Sequence, residues 1–321
     1  MIVTLTPNPS IDQTLSLGEE LERGTVQRLQ QVTSVAGGKG VNVSHVAHLA
    51  GVKTLALFPS AGNDPFLGLF KDVEIPYHAT PHDGPVRTNI TITEPDGTTT
   101  KLNGPGHELS PATAEALMED LLRYAEGASW VVLAGSLPPG LPADWYAQAL
   151  KALRAKFPEL PVAVDTSDAP LIELGKHLDE VGPTIMKPNG LELGQLVGVD
   201  GLHLEEEAEK GNYAPVIEAA KPLMEKQVDE LLVTLGGAGA VLITKEGSWI
   251  ANPAPITVVS TVGAGDCTLA GYVLARSRGM DHADALAQAV GYGSAAASLP
   301  GTTIPTPDII NAAGATVRSL A

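Results

Sequence analysis

A glycine-rich turn in the last quarter of the chain ends in an acidic residue, because Gly263, Ala264 and Gly265 directly precede Asp266. Glycines let the backbone approach an anion closely, and the start of the helix that follows offers free N–H groups. A carboxylate beside such an anion site is unfavourable unless it has a task, and a general base in phosphoryl transfer is one. The alternative is an ordinary turn with an acidic residue in the first helical turn, where the helix dipole favours it. From the spacing alone, both interpretations remain open.

A second glycine cluster surrounds a lysine: Gly37 and Gly38 precede Lys39, and Gly40 and Asn42 follow it. It is not a P-loop, because a glycine follows the lysine and the preceding spacing does not match. The cluster places a cation and an amide at the start of a helix, which suits a small polar or anionic ligand. The alternative is a flexible loop with a surface lysine.

Two more polar segments follow predicted strands, at the end of the strand where open α/β sheets bind ligands. In the first, Lys187 precedes Asn189 and Glu192, which are one helical turn apart and could both face a metal-bound phosphate. The same pair also fits an N-terminal capping box, and this does not exclude the functional interpretation.

The second of these segments is rich in glycine and follows a predicted strand that ends at Thr234. Its glycines, which would admit a nucleotide against the backbone, are Gly236, Gly237 and Gly239. A tight turn between two strands explains the same pattern.

These segments need a scaffold, and the hydrophobic pattern predicts an α/β fold. Strands are predicted near residues 3–5, 53–58, 130–134, 162–165, 184–186 and 231–234, with helical stretches between most of them. Such alternation implies right-handed crossovers and a mainly parallel sheet covered on both sides. A β-like run is predicted at 256–259, and an almost wholly helical pattern from 264 onward.

A small β lid is predicted from two segments that do not follow the alternation of strands and helices, 11–35 and 86–102. The first is rich in Glu, Arg and Gln and looks irregular, whereas the second alternates like a hairpin with both faces half polar. With this lid, one domain accounts for residues 1–321. The acidic stretch at 200–212 is interpreted as a solvated surface insertion.

Composition narrows the possible partners. The formal net charge of −17 disfavours nucleic acid and anionic membranes, and the eight histidines show no zinc-ligand spacing. The single cysteine, Cys267, permits no intrachain disulfide and is interpreted as a small packing residue. With no signal peptide and no long apolar run, we expect a cytoplasmic protein.

In this order along the chain, the motifs resemble those of the ribokinase-like carbohydrate kinases, in their phosphofructokinase-B branch. The resemblance extends over essentially the whole chain, and its segments are 5–9 with Asp12, 22–24, 36–40, 87–89, 135–138, 187–189 and 260–266. It implies a three-layer ribokinase-like sandwich with a mainly parallel central sheet and a small β lid. It also implies ATP as phosphate donor and Mg²⁺ as cofactor, and the lid strands of this family often form a dimer contact.

The resemblance assigns roles to the candidate residues. Asp266 becomes the proton acceptor, with Gly263, Ala264 and Gly265 as the anion hole. The residues implied to bind the sugar or its phosphate are Asp12, Gly37, Gly38, Lys39, Asn42, Arg87 and Ser136. Those implied to line the ATP site are Lys187, Asn189, Thr234, Gly236, Gly237 and Gly239, with Glu192 helping to position magnesium.

The resemblance is closest to the members of this branch that phosphorylate fructose 1-phosphate at its C6 hydroxyl. Ser260 stands where many sugar kinases of the superfamily have Asp, and Ser or Asn there is typical of enzymes that act on sugar phosphates. Tagatose 6-phosphate and fructose 6-phosphate remain alternative substrates. A catalytically silent sugar-phosphate sensor is the alternative outside enzymes, although such a sensor would not need Asp266.

Overall fold

The computed structural model describes residues 1–320, in which strands and helices alternate along most of the chain. The strands are β1 (Ile2–Leu5), β2 (Ser10–Leu17), β3 (Leu29–Gly37), β4 (Thr54–Ser60), β5 (Tyr77–Pro81), β6 (Arg87–Thr93), β7 (Thr99–Asn103), β8 (Trp130–Ala134), β9 (Val162–Asp165), β10 (Ile185–Met186), β11 (Glu230–Thr234), β12 (Ala240–Thr244), β13 (Ser248–Asn252) and β14 (Thr316–Leu320). The helices are α1 (Lys39–Leu49), α2 (Pro65–Asp72), α3 (Pro111–Ala125), α4 (Trp145–Lys156), α5 (Asp168–His177), α6 (Gly190–Val197), α7 (Gly201–Glu209), α8 (Ala214–Met224), α9 (Ala264–Ser277) and α10 (His282–Ala297).

Ten of the strands form one sheet, in the order β14-β13-β12-β11-β10-β9-β8-β1-β4-β5. The seven strands from β11 to β5 are parallel, and β12, β13 and β14 extend the sheet as antiparallel strands. The carboxyl ends of the parallel strands therefore share one edge of the sheet, which is where ligands bind in open α/β folds.

Helices cover both faces of this sheet, and alternate residues of each strand divide between two cores. In β8, Val131 and Leu133 join the core beneath α3, α4 and α8, whereas Val132 and Ala134 join the core beneath α1, α9 and α10. Burial on both faces explains why these strands appear in the sequence as short continuous apolar runs. The predicted α/β fold with a mainly parallel sheet is confirmed.

The other four strands form a small sheet in the order β3-β2-β6-β7, and they fall in the two segments predicted as a lid. β2 pairs antiparallel with β3 and parallel with β6, while β6 and β7 form the predicted hairpin. At the base of this sheet, Ile11 and Ala36 pack on an aromatic cluster that includes Phe58, Phe66 and Phe70. The small sheet is thereby attached to the main one through buried apolar contacts.

Four local predictions were wrong. The chain from 264 onward is not almost wholly helical, because after α10 it adds strand β14 at the edge of the main sheet. Residues 11–35 are not irregular throughout, because β2 and most of β3 lie there and pair from Ser10 to Leu17, with one register shift between Ser16 and Leu17. Residues 256–259 form no strand. Ile256, Val258 and Val259 are exposed on a loop, so their β-branched side chains did not indicate a paired strand.

The acidic stretch at 200–212 also differs from the prediction, because it forms α7 and is not a simple surface insertion. Asp200 caps this helix through its side chain, and Leu204 and Ala208 are buried in the main core. The glutamates that dominated the sequence pattern lie on the other side of a short amphipathic helix. Among the described residues, no helix combines the length and the hydropathy needed to cross a membrane.

Candidate active site

Most of the predicted site residues meet above the carboxyl edge of the main sheet. Asp165 is the last residue of β9, Lys187 directly follows β10, and Thr234 ends β11. Two helix starts face the same region, because Lys39 is the first residue of α1 and Asp266 lies in the first turn of α9. Adjacent parallel strands and the helices packed on them are what bring these distant positions together.

Asp165 is the centre of the charged part of the site. Its Oδ1 lies 3.1 Å from Lys39 Nζ, and its Oδ2 lies 3.2 Å from Lys187 Nζ. The side chains of Asp165 and Lys187 are only 1% and 4% exposed, whereas that of Lys39 is 31% exposed. One buried carboxylate therefore holds two ammonium groups close together, and one of the two remains open to solvent.

The charges in this group shift the pKa values of its members. Burial alone would raise the pKa of Asp165, but the charges of Lys187 and Lys39 outweigh it and hold that pKa below its ordinary value. Burial would likewise lower the pKa of Lys39, but Asp165, Asp266 and Glu192 raise it above its ordinary value. Asp165 and Lys39 therefore both stay charged across the neutral pH range.

Asp266 lies beside this group with both carboxylate oxygens in contact with polar partners. Asn42 Nδ2 donates a hydrogen bond of 2.7 Å to Oδ2, and Lys39 Nζ is 3.6 Å from Oδ1. The side chain of Asp266 is 10% exposed. Since Asn42 comes three residues after Lys39 on α1, a single helical turn supplies both partners.

The glycines around Asp266 allow a backbone conformation and a close contact that residues with a side chain would disfavour. Gly263 has the left-handed conformation, with φ of 76°, that a side chain rarely adopts, and α9 starts directly after it. A Cβ atom added to Gly265 would lie 3.4 Å from Lys187 Nζ, so the backbone there passes close to a cation. The first turn of α9 and the ammonium group of Lys187 thus lie close together.

A cavity of about 660 Å³ opens beside Gly265 and Lys187. Its polar end contains the two lysines and Glu192. Its walls are mainly backbone and aliphatic side chains, and its lining includes Asn189, Thr234, Gly236, Gly237, Gly239, Ile256, Val258, Ala264, Gly265, Val290, Ser294 and Ala297. A polar end and an aliphatic body of this size fit a nucleotide, whose charges lie at one end and whose base lies at the other.

The predicted capping box is present at the start of α6. Asn189 Oδ1 accepts from the backbone N–H of Glu192, and Glu192 Oε2 accepts from the backbone N–H of Asn189. Burial raises the pKa of Glu192, and the hydrogen bond from Asn189 opposes that rise only in part. The structural role and the cavity-lining role of this pair therefore coexist.

The small sheet contributes a separate polar surface. Asp12 Oδ1 accepts hydrogen bonds from Ser10 Oγ and Asn89 Nδ2, and its carboxylate lies against Gly37, where an added Cβ would be 2.2 Å from Oδ2. Gly38 has φ of 117°, which lets the chain turn from β3 into α1.

Arg87, at the start of β6, is held by backbone oxygens. Its guanidinium donates to Gly104 O and to Asn8 O, at 2.9 and 3.1 Å. Asn8 in turn donates from Nδ2 to Ser136 Oγ. Arg87 and Ser136 are thus linked through Asn8, whereas Lys39 is paired with Asp165 and Asp266.

Asp165 is the main residue that sequence reasoning missed. The sequence signal was present, since a carboxylate ending a buried parallel strand points to the ligand edge, but nothing showed that two lysines would share it. Cys267 behaves as predicted: it is buried, and burial raises the pKa of its thiol.

The comparisons with known proteins agree with this geometry. The sequence matches the pfkB family carbohydrate kinases over residues 6–309. It is 34% identical to 1-phosphofructokinase of Rhodobacter capsulatus over 98% of this chain and 96% of that protein, and 32% identical to 1-phosphofructokinase of Escherichia coli K12 over 90% and 89%. The solved phosphofructokinase-2 of Escherichia coli, in complex with substrates and products, superimposes with a TM-score of 0.85 at 26% identity, covering 96% of both chains.

The chain belongs to the pfkB family of carbohydrate kinases. It is a phosphotransferase with an alcohol group as acceptor and ATP as donor, and it has the ribokinase-like fold. The predicted family, fold and sugar phosphate kinase activity are confirmed. The roles assigned to single residues remain predictions.

The close approach of Gly265 to Lys187 yields a test of the anion site. We expect Gly265→Ala to leave the free energy of unfolding unchanged or to raise it by up to about 1 kcal/mol, because alanine favours a helix. The added methyl group would occupy the space near Lys187 Nζ, so kcat/KM for ATP should fall about 10- to 100-fold. Urea unfolding and steady-state kinetics measure the two effects.

Gly68→Ala is the matched control, because Gly68 lies within α2 and an added Cβ there has no neighbour within 4 Å. It should keep full activity at equal or higher stability. A Gly265→Ala variant whose kcat/KM for ATP stays within about twofold of the wild-type value would contradict the anion site, since a misplaced phosphate costs far more than that.

Proposed function

We propose that this enzyme transfers the γ-phosphate of ATP to the C6 hydroxyl of fructose 1-phosphate, giving ADP and fructose 1,6-bisphosphate. The observation that carries the proposal is the position of Asp266. It lies at a glycine-rich helix start, directly after Ala264 and Gly265, which line a nucleotide-sized cavity, and its charge raises the pKa of Asp12 in the small sheet. The names of the curated relatives support the choice of ketose phosphate.

Asp266 acts as the general base in this proposal. Asn42 holds Oδ2, so Oδ1 is the oxygen available to take the proton of the attacking hydroxyl. Lys39 lies 3.6 Å from that oxygen and is positioned to contact the phosphoryl group as it moves from ATP to the sugar. The proposed proton acceptor and charge stabiliser are thus neighbours in the site.

Phosphoryl transfer needs positive charge and N–H donors around the transferred group. The start of α9 supplies the donors at residues 263–265, and Lys39 and Lys187 supply two charges. Both lysines are paired with Asp165 before the nucleotide binds, and this buried carboxylate offsets the repulsion between the two ammonium groups.

The site also fits magnesium bound through ATP. No cluster of three acidic, histidine or cysteine side chains that could hold a metal occurs among residues 1–320, so a metal would need ligands from the substrate. Mg²⁺ commonly uses one or two carboxylates together with phosphate oxygens and water. Glu192 lines the cavity and is the carboxylate placed to contribute, and the ion would offset phosphate charge during transfer.

On the acceptor side, we assign the sugar hydroxyls to Asp12, Gly38 and Asn42, and the phosphate already on the sugar to Arg87. The guanidinium of Arg87 is fixed by two carbonyl groups before substrate binds, and Ser136 is linked to it through Asn8. A preformed cation of this kind favours a sugar phosphate over a free sugar.

A substrate panel tests the proposed function. ADP release should be measured with fructose 1-phosphate, fructose 6-phosphate, tagatose 6-phosphate and free fructose, and ³¹P NMR should identify the product. We expect higher kcat/KM with the sugar phosphates than with free fructose, because Arg87 selects a phosphorylated acceptor. Among them we expect the highest value with fructose 1-phosphate and a product phosphorylated at C6, in line with the names of the curated relatives.

The other outcomes separate the alternatives. Best turnover on tagatose 6-phosphate or fructose 6-phosphate would keep the sugar phosphate kinase but change the ketose. Best turnover on free fructose would contradict the role of Arg87. Absence of ADP release with every sugar phosphate would favour a silent sensor and would contradict the proposed function.

We also propose that the small sheet is a lid and the contact of a homodimer. Its face away from the active site carries Leu15 and Ile92 in register on neighbouring strands, with Val32 beside them on β3. Val32 and Leu102 are 51% and 54% exposed, which is unusual for apolar residues grouped on one sheet face. A second copy of the same face would cover this surface.

Sedimentation velocity tests the dimer. The wild-type protein should sediment as a dimer at micromolar concentration, and Val32→Lys with Leu102→Lys should shift it to monomer because charges would be buried in the contact. Leu202→Lys is the matched control, since Leu202 is 60% exposed on α7 and outside the small sheet. A monomeric wild type, or a double variant that stays dimeric, would contradict this interface.

A further inference from the structure

Asn89 is a polar residue of the small sheet for which the proposed mechanism has no role. It lies on β6 directly opposite Asp12 on β2, in the parallel register that joins the two strands. Side chains at such paired positions project from the same face of a sheet. Ser10, two residues before Asp12 on β2, projects from that face as well.

The three side chains form one hydrogen-bonded group. Ser10 Oγ donates to Asp12 Oδ1 at 2.7 Å, and Asn89 Nδ2 donates to the same oxygen at 3.1 Å. The absence of a side chain at Gly37 leaves the space that the carboxylate occupies, because a Cβ added there would lie 2.2 Å from Asp12 Oδ2. The carboxylate is thus held at one oxygen, and Oδ2 has no hydrogen-bond partner among the residues described by the structure.

The orientation of the Asn89 amide follows from this group. Turning the amide over would place its oxygen against a carboxylate oxygen, which is repulsive, so Nδ2 must face Asp12. The consequence is that Asn89 Oδ1 is buried without a hydrogen-bond partner in the described chain. A buried oxygen without a partner lowers the free energy of unfolding, so Asn89 is not explained by protein stability. Its hydrogen bond to Asp12 is the remaining contact that can explain it.

The electrostatic surroundings show what that effect is. Burial raises the pKa of Asp12, the hydrogen bonds from Ser10 and Asn89 lower it, the charge of Asp266 raises it, and that of Arg87 lowers it. The net pKa is above the ordinary value. The two donors therefore oppose the protonation that burial and the catalytic carboxylate favour.

We propose that Asn89, together with Ser10, is a positioning residue that keeps Asp12 ionised and turns its free oxygen Oδ2 toward the hydroxyls of the sugar. The proposal rests on the proposed function, because it deepens the sugar-binding role assigned to Asp12. It predicts a specific division of effects: Asn89 governs sugar binding and its pH dependence, and contributes little to ATP use or to folding.

The first experiment compares Asn89→Ala with wild type in steady-state kinetics. KM for the preferred sugar phosphate should rise about 10-fold, as expected for losing one hydrogen bond to a charged group, while KM for ATP stays within about twofold. The midpoint of urea unfolding should change little, because the variant also removes the unpaired buried oxygen. Ser10→Ala should act in the same direction, and Ser10→Thr, which keeps the hydroxyl, should restore affinity.

The second experiment needs no turnover. The Asp12 carboxyl is titrated by ¹³C NMR in wild type and in Asn89→Ala. Since Asn89 lowers the pKa of Asp12, its removal should raise that pKa. In the kinetic experiment, the acid limb of kcat/KM for the sugar should move to higher pH for the same reason. If the protein released no ADP with any sugar phosphate, the proposed function would fail, but this titration would still report on Asn89.

Thr91→Ala is the matched control, because Thr91 follows Asn89 by two residues on the same face of β6 and pairs with Thr14. It should leave both the sugar KM and the Asp12 titration unchanged. An Asn89→Ala variant that lost stability while keeping the wild-type sugar KM and Asp12 pKa would overturn the proposal and assign Asn89 a purely structural role.

Discussion

Two lysines can face the same anion only if something compensates their repulsion while the site is empty, and Asp165 meets this requirement. It lies between Lys39 and Lys187, almost fully buried, at the end of a central parallel strand. A buried charge without a partner would be strongly unfavourable, so the three groups depend on each other. Lys39 also connects this group to Asp266, whose other oxygen accepts a hydrogen bond from Asn42 on the same turn of α1.

The fold is suited to this constraint because it brings three kinds of element to one sheet edge. Neighbouring parallel strands end in Asp165 and just before Lys187, and the starts of α1 and α9 supply Lys39 and Asp266. The small sheet then adds Asp12 from the other side of the site. After β1 the chain forms β2 and β3 of the small sheet, and it rejoins the main layers at α1. Phosphate donor and acceptor hydroxyl can therefore approach Asp266 from different directions, as in-line transfer requires.

Much of this could be predicted from the sequence, because local patterns carry strong signals. Buried strands, helix starts and glycine turns are local, so the parallel sheet and the helices that begin after Gly38 and Gly263 were predicted correctly. Pairing between distant residues is not local. The sequence did not reveal the ion pairs of Asp165 or the contact between Asn89 and Asp12, since each depends on strand order and register. A local pattern can also predict a strand that does not form. The β-branched residues near Val258 are exposed on a loop, because such residues alone do not produce a strand.

The most direct test of the account is the rate of phosphoryl transfer in Asp266→Asn, measured in a single turnover by rapid quench, with ATP affinity measured separately by calorimetry. Asparagine keeps the shape and the contact with Asn42 but cannot accept a proton, so the transfer rate should fall about 10²- to 10⁴-fold while the Kd of ATP stays within about threefold. A transfer rate within about tenfold of wild type would contradict Asp266 as the general base, and with it the proposed arrangement of the site.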